Sequence, residues 1–136
     1  MSREKELDEA MSANTNAIRI LTVDDHRLFR EGLAIVLATQ PDMNLVAQAA
    51  NGREALQQFR QHHPDITLMD LQMPEMNGLD AMVAIRKEFP EAKIIILTTY
   101  ASDVQDAMKL GAQAYLLKTQ LNKELLGTIR AVQAGK

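Results

Sequence analysis

The sequence contains no cysteine, no long apolar run and no strong excess of charge of either sign. The absence of cysteine excludes disulfides, thiol catalysis and cysteine-ligated zinc or iron–sulfur centres, and it is typical of a reducing compartment. The longest apolar run, 94–97, is too short to cross a bilayer, and no signal-peptide core precedes it. A formal charge of −3 offers no broad positive field, so this chain alone is not expected to bind DNA. We expect a cytoplasmic protein without a membrane segment.

The length of 136 residues and the apolar content of 46% predict a single compact domain. Residues 1–17 differ from the rest, because two basic and four acidic residues there carry most of the formal charge. We predict a flexible leader over 1–17, in which a short helix near the start stays an alternative. The compact domain is then expected over 18–136.

Short apolar runs alternate with stretches of helical periodicity along this domain. The runs are Ile18–Val23, Leu45–Ala49, Asp65–Met69, Lys93–Leu97 and Ala114–Leu117. The helical stretches are 28–37, 55–59, 79–89, 104–110 and 121–132, with Asn51 and Ser102 as expected N-caps. Strict alternation of this kind predicts an α/β fold, a parallel sheet with helices on both faces.

Polar side chains stand where four of the five predicted strands end. Asp24 and Asp25 follow the first strand, Asp70 the third, Thr98 the fourth and Lys118 the fifth. The carboxyl ends of parallel strands meet at one edge of a sheet, where such folds bind ligands. Three carboxylates in one place repel each other, and a hard divalent cation such as Mg²⁺ relieves this repulsion. A metal, a lysine and a carboxylate nucleophile together suit phosphoryl transfer.

The same residues carry a resemblance to a known family. Their order resembles that of a two-component response-regulator receiver domain of the CheY-like kind. The matching residues are Asp24-Asp25, Asp70 followed by Met73-Pro74 and Gly78, then Thr98 and Lys118. The stretches 24–33 (DDHRLFREGL) and 111–118 (GAQAYLLK) are most similar to the NarL/FixJ, or LuxR-type, branch. The resemblance covers about 18 to 134. It implies a doubly wound, flavodoxin-like sheet of five strands in the order 2-1-3-4-5, flanked by five helices.

The resemblance also implies a role for each site residue. Asp70 would accept a phosphoryl group from the phosphohistidine of a sensor histidine kinase. Mg²⁺ (or Mn²⁺) would be held by Asp25, Asp70 and the Gln72 backbone carbonyl, with Asp24 acting directly or through water. Thr98 would hydrogen-bond the phosphoryl group and Lys118 would pair with it.

Further positions match the regulatory residues of the family. Tyr115 would turn inward when Thr98 moves, and Gln72 and Tyr100 would modulate dephosphorylation. The readout would be a remodelled surface around the fourth helix, the fifth strand and the fifth helix, with a homodimer expected on phosphorylation. The domain would catalyse only its own aspartyl phosphorylation and dephosphorylation. Thr119 departs from the proline that often follows the lysine in this family.

The NarL/FixJ branch usually carries a C-terminal helix-turn-helix domain, which this chain lacks. We therefore expect a fragment of a DNA-binding transcriptional regulator, touching DNA only through that missing domain, with a stand-alone receiver as the alternative.

Other functions are less well supported by the sequence. An aspartate-nucleophile phosphatase of the haloacid-dehalogenase type would need D-x-D, whereas Asp24 and Asp25 are adjacent. A pseudo-receiver without phosphorylation would not need all five chemical positions. Structural roles also stay open for single residues: Tyr115 as a half-buried strand aromatic, His26 as a cap or loop residue that could also influence the acidic pair, and His62-His63 as a solvated helix end.

Overall fold

The computed structural model describes residues 17–135, and within them five parallel strands form one sheet in the order β2-β1-β3-β4-β5. The strands are β1 Ile18–Val23, β2 Met43–Ala49, β3 Ile66–Met69, β4 Lys93–Thr98 and β5 Ala114–Leu117. The predicted fold class and strand order are confirmed. The predicted leader, apart from Ala17, lies outside the described residues.

Asp65, predicted as the first residue of the third strand, lies just before β3. Its carboxylate accepts the backbone N–H of Arg19 at 2.9 Å. A side chain thus takes a hydrogen bond that a strand backbone would otherwise provide.

Five α-helices cover the sheet within the described part of the chain. They are α1 Arg27–Ala38, α2 Gly52–His62, α3 Gly78–Glu88, α4 Val104–Lys109 and α5 Leu121–Gln133. The predicted cap at Asn51 is confirmed, since its side chain accepts the N–H of Glu54 at 2.9 Å. His62 and His63 stand at the end of α2, as expected.

The prediction that Ser102 caps the fourth helix is wrong. Ser102 lies inside a 3₁₀ turn, Ala101–Asp103, that runs directly into α4. The N–H of Val104 donates to the carbonyl oxygen of Ala101. Because the turn itself supplies backbone acceptors, α4 starts without a side-chain cap.

The two faces of the sheet bury two separate cores. In β4, Ile94 and Ile96 belong to the core shared with α2, α3 and α4, whereas Ile95 and Leu97 belong to the core shared with α1 and α5. Successive side chains of a strand point to opposite faces, so an apolar run without alternation requires cover on both sides. No helix within residues 17–135 has the length and apolarity needed to span a membrane.

The order of the strands reverses beside β1, which pairs with β2 on one side and with β3 on the other. The ladder continues one step past the strands, because Asp24 N–H donates to Ala49 O at 3.0 Å and Asp70 N–H donates to Val23 O at 2.9 Å. These bonds fix Asp24 and Asp70 side by side at the switch point, the usual ligand position of open α/β sheets.

Candidate functional site

Asp24, Asp70 and Lys118 meet at the carboxyl edge of the sheet. The Lys118 Nζ donates to Asp24 Oδ2 at 2.7 Å and to Asp70 Oδ2 at 3.3 Å. Asp24 is 2% exposed and Asp70 is 4% exposed. Buried charges persist when they are paired and hydrogen-bonded, so one ammonium group compensates two carboxylates here. The structure thus brings together three residues that the sequence placed on three different strands.

The other two strand-end residues lie differently. Asp25 is more exposed and belongs, with Asp24 and Asp70, to the group that we call the acidic site. Thr98 is fully buried, and its hydroxyl accepts the N–H of Tyr100 at 3.3 Å. Its hydroxyl therefore holds the loop that follows β4.

His26 contacts the acidic site directly. It occupies the N-cap position of α1, but its side chain makes no capping bond. Instead, its Nδ1 lies 2.9 Å from Asp24 Oδ1 and 3.2 Å from Asp25 Oδ1. His26 thus stands at the cap position, as the sequence indicates. Its imidazole also contacts both carboxylates, which supports the alternative that His26 influences the acidic pair electrostatically. The guanidinium of Arg30 donates to the backbone carbonyl of Asp24, a contact that no sequence pattern indicated.

The donor set of the acidic site fits a divalent cation. The three carboxylates of the acidic site and the neighbouring imidazole of His26 each offer one ligand atom, and these atoms lie within 4.8 Å of one another. Carboxylate oxygens are the ligands that Mg²⁺ and Mn²⁺ prefer. The N–H of Gln72 donates to Asp70 Oδ1 at 3.2 Å, which places Gln72 at the margin of the same group.

Burial raises the pKa of Asp70 above its ordinary value. The neighbouring charge of Asp24 raises this pKa further, whereas Lys118 and the Gln72 N–H lower it. A cation bound beside the carboxylate would favour the ionised form, which is the nucleophilic form.

The predicted regulatory residues Gln72, Tyr100 and Tyr115 all have exposed side chains. Tyr100 is 54% exposed and Tyr115 is 46% exposed. Gln72 Nε2 donates to Asp103 Oδ2 at 3.1 Å, which links the loop after β3 to the 3₁₀ turn before α4. The Asp103 contact carries no signal in the sequence, because it depends on how two loops fold. Thr119 lies in a 3₁₀ turn, Lys118–Gln120, that leads into α5.

Fold and site together define a class of protein. A five-stranded, doubly wound parallel sheet carries, at its switch point, three aspartates and a lysine that suit a cation and a phosphoryl group. This combination is the CheY-like class, and comparison with known proteins identifies the family within it.

The model of the response regulator receiver domain matches residues 20–130. The response regulator protein VraR of Staphylococcus aureus is 36% identical over 121 residues, which cover 88% of this chain and 58% of VraR. A LuxR-family two-component response regulator from Aurantimonas sp. SI85-9A1 is 35% identical, with a TM-score of 0.85 over 88% of this chain and 87% of that one. The response regulator domain of Thermotoga maritima CheB is 30% identical, with a TM-score of 0.81 over 87% and 97% of the two chains.

The chain belongs to the response-regulator receiver family, and its relatives match the NarL/FixJ branch. Receiver domains are signalling domains that bind Mg²⁺ through acidic residues. The chain spans 58% of the length of the VraR relatives that it matches.

Proposed function

We propose that this chain is a phosphoacceptor switch in which Asp70 takes a phosphoryl group from the phosphohistidine of a sensor histidine kinase. The observation that carries this proposal is the pairing of two buried carboxylates, Asp24 and Asp70, with the single ammonium of Lys118. An arrangement of this kind costs free energy of desolvation, and a merely structural strand end does not require it.

The transfer forms one bond and breaks one. An Asp70 carboxylate oxygen attacks phosphorus, the phosphorus–nitrogen bond of the donor breaks, and the imidazole leaves with the electron pair. Lys118 lies beside Asp70 Oδ2 and pairs with the negative oxygens of the transferred group. Thr98 turns its hydroxyl from the Tyr100 N–H to a phosphoryl oxygen.

In this proposal Mg²⁺ or Mn²⁺ would be held by Asp24, Asp25, Asp70 and the Gln72 backbone carbonyl, with Asp24 acting directly or through water. When bound, the cation neutralises charge that develops on the phosphoryl oxygens. Asp25 is the more exposed of the acidic pair, and it would be the more solvent-accessible of the two ligands.

Hydrolysis returns the domain to its ground state, and the domain catalyses both its own phosphorylation and its own dephosphorylation. In this proposal the side chains of Gln72, whose backbone N–H donates to Asp70, and of the exposed Tyr100 set how easily water reaches the acyl phosphate. Tyr115 turns inward as Thr98 moves, which remodels the surface of α4, β5 and α5 and favours a homodimer. These motions select one of two states that already exist.

The whole protein is, in this proposal, a cytoplasmic transcriptional regulator. Residues 18–136 form its receiver domain, and a C-terminal helix-turn-helix domain contacts DNA. The support is that the chain spans 58% of VraR, and that the Aurantimonas relative is described as a LuxR-family regulator.

Intact-mass spectrometry after incubation with acetyl phosphate and Mg²⁺ tests the proposal. We expect one phosphoryl group on the wild type, and none with EDTA or in Asp70→Asn. Glu91→Gln is the matched control, because it also removes one carboxylate but precedes β4 at the opposite edge of the sheet. A wild type that never gains the group would instead indicate a pseudo-receiver, and steady release of phosphate from varied monoesters would indicate a phosphatase.

A further inference from the structure

Lys118 has a third partner besides Asp24 and Asp70. Its Nζ lies 4.3 Å from the ring centroid of Phe29, a half-buried residue of α1. A cation over an aromatic face at this distance is attracted by the negative face of the ring. Phe29 therefore interacts with the charge of Lys118 as well as with apolar neighbours.

Phe29 closes a side of the ammonium that the carboxylates leave open. Asp24 and Asp70 accept hydrogen bonds from Nζ, and the Lys118 side chain as a whole is 16% exposed. A ring in this position excludes water and holds the flexible lysine stem near one conformation, which water in the same place would not do.

The same two residues line a surface groove between α1 and α5. The groove has a volume of about 640 Å³, and Phe29 and Lys118 lie in its wall with Leu33 and Leu125. The Lys118 ammonium thus contacts the acidic site, and the Lys118 side chain also lines the groove. A displacement of the ammonium toward a phosphoryl group must change its contact with the Phe29 ring.

We propose that Phe29 is a positioning residue for phosphoryl acceptance, which holds the Lys118 ammonium between Asp24 and Asp70 by a cation–π contact. This inference rests on the proposed function of Asp70. It differs from that function because it assigns a role to an apolar residue on a helix that contributes none of the proposed phosphoryl or metal ligands.

Replacement of Phe29 by mono-, di- and trifluorinated phenylalanine tests the inference. Fluorine weakens the negative face of the ring stepwise while the shape of the side chain is nearly kept. We expect the rate of phosphorylation by acetyl phosphate, followed by intact mass, to fall progressively along the series. The full loss should be about threefold to thirtyfold, as should the loss in Phe29→Leu, whereas Phe29→Tyr should keep most of the rate.

Phe59 is the matched control, because its ring packs against Phe89 with centroids 4.8 Å apart in the core on the opposite face of the sheet. The same fluorinated residues at position 59 should leave the phosphorylation rate unchanged. The ¹⁵N and ¹H shifts of the Lys118 ammonium give a second readout, and they should move with fluorination at position 29 only.

Two failures are distinguishable. If the wild type accepts the phosphoryl group but its rate is unchanged by fluorination at position 29, the cation–π role of Phe29 is wrong, whatever the effect of Phe29→Leu, and the function of Asp70 stands. If the wild type accepts no phosphate, both proposals are wrong.

Discussion

The Lys118 ammonium lies 3.3 Å from Asp70 Oδ2, a longer contact than the 2.7 Å that it makes with Asp24 Oδ2. The other Asp70 oxygen accepts only the Gln72 N–H at 3.2 Å among the described hydrogen bonds. The two buried carboxylates are therefore not equivalent. Asp24 is held firmly by the ammonium, whereas Asp70 keeps longer contacts, as suits the group that reacts.

Replacement of Asp24 by asparagine should weaken divalent cation binding. The variant removes one carboxylate from the acidic site and loosens Lys118, which then competes for Asp70. We expect Mn²⁺ affinity, measured by electron paramagnetic resonance titration, to fall on the order of 10- to 100-fold. Glu91→Gln should bind like the wild type, and an unchanged affinity in Asp24→Asn would contradict the ligand assignment.

The raised pKa of Asp70 predicts how stability depends on pH. Between the ordinary value of 3.8 and the raised native value, the native state binds more protons than the unfolded state. The free energy of unfolding of the wild type should therefore fall as pH rises through that window. Asp70→Asn has no such proton to lose, so its stability relative to wild type should increase through the window and then level off.

Urea denaturation at a series of pH values, with EDTA present, measures this difference. Asp106→Asn, which also removes one carboxylate but at an exposed position of α4, is measured beside it as the control. A stability of Asp70→Asn relative to wild type that falls as pH rises would contradict the raised pKa.

The sequence predicted the strands and the charged residues of the site for one physical reason. Parallel strands that alternate with helices must end at a common edge, so Asp24, Asp70 and Lys118 converge whatever the details of the loops. The apolar run of β4 likewise indicated burial on both faces, which its membership of both cores confirms.

The contacts of Phe29 and His26 could not be predicted in the same way. The directions of these two side chains depend on how the chain turns from β1 into α1. A phenylalanine at position 29 suits a core aromatic equally well, and a histidine at position 26 suits a helix cap equally well. Ser102 failed as a cap for a related reason, because a 3₁₀ turn satisfied the backbone of the helix start. Side-chain pairings made by loops are decided by tertiary packing rather than by local pattern.

Tyr115 offers a direct report of switching. The chain has two tyrosines and no tryptophan, so Tyr100→Phe leaves Tyr115 as its single tyrosine fluorophore. Tyr115 is now 46% exposed, and an inward turn should lower its acrylamide quenching when acetyl phosphate and Mg²⁺ are added. The additional change Thr98→Ala should abolish the effect, and unchanged quenching of a phosphorylated protein would contradict the switch.

Gly78 should tolerate no side chain. A Cβ there would meet the Asp70 carbonyl oxygen and lie 2.7 Å from Leu71 Cα, both of them backbone atoms that cannot move aside cheaply. We expect Gly78→Ala to lower the free energy of unfolding in urea by about 1–3 kcal/mol. At Gly127 of α5, where a Cβ meets nothing within 4 Å, alanine should instead raise it by about 0.5–1 kcal/mol. Equal effects at the two positions would contradict this packing.

The position of the phosphoryl group tests the role of Asp70 directly. Borohydride reduces an acyl phosphate to an alcohol, so a phosphorylated aspartate becomes homoserine and can be found by peptide sequencing in a mass spectrometer. After treatment with acetyl phosphate and Mg²⁺, we expect homoserine at position 70 and at no other aspartate. Homoserine at position 24 or 25, or a phosphorylated protein with an unmodified Asp70, would contradict the assignment of Asp70 as the phosphoacceptor.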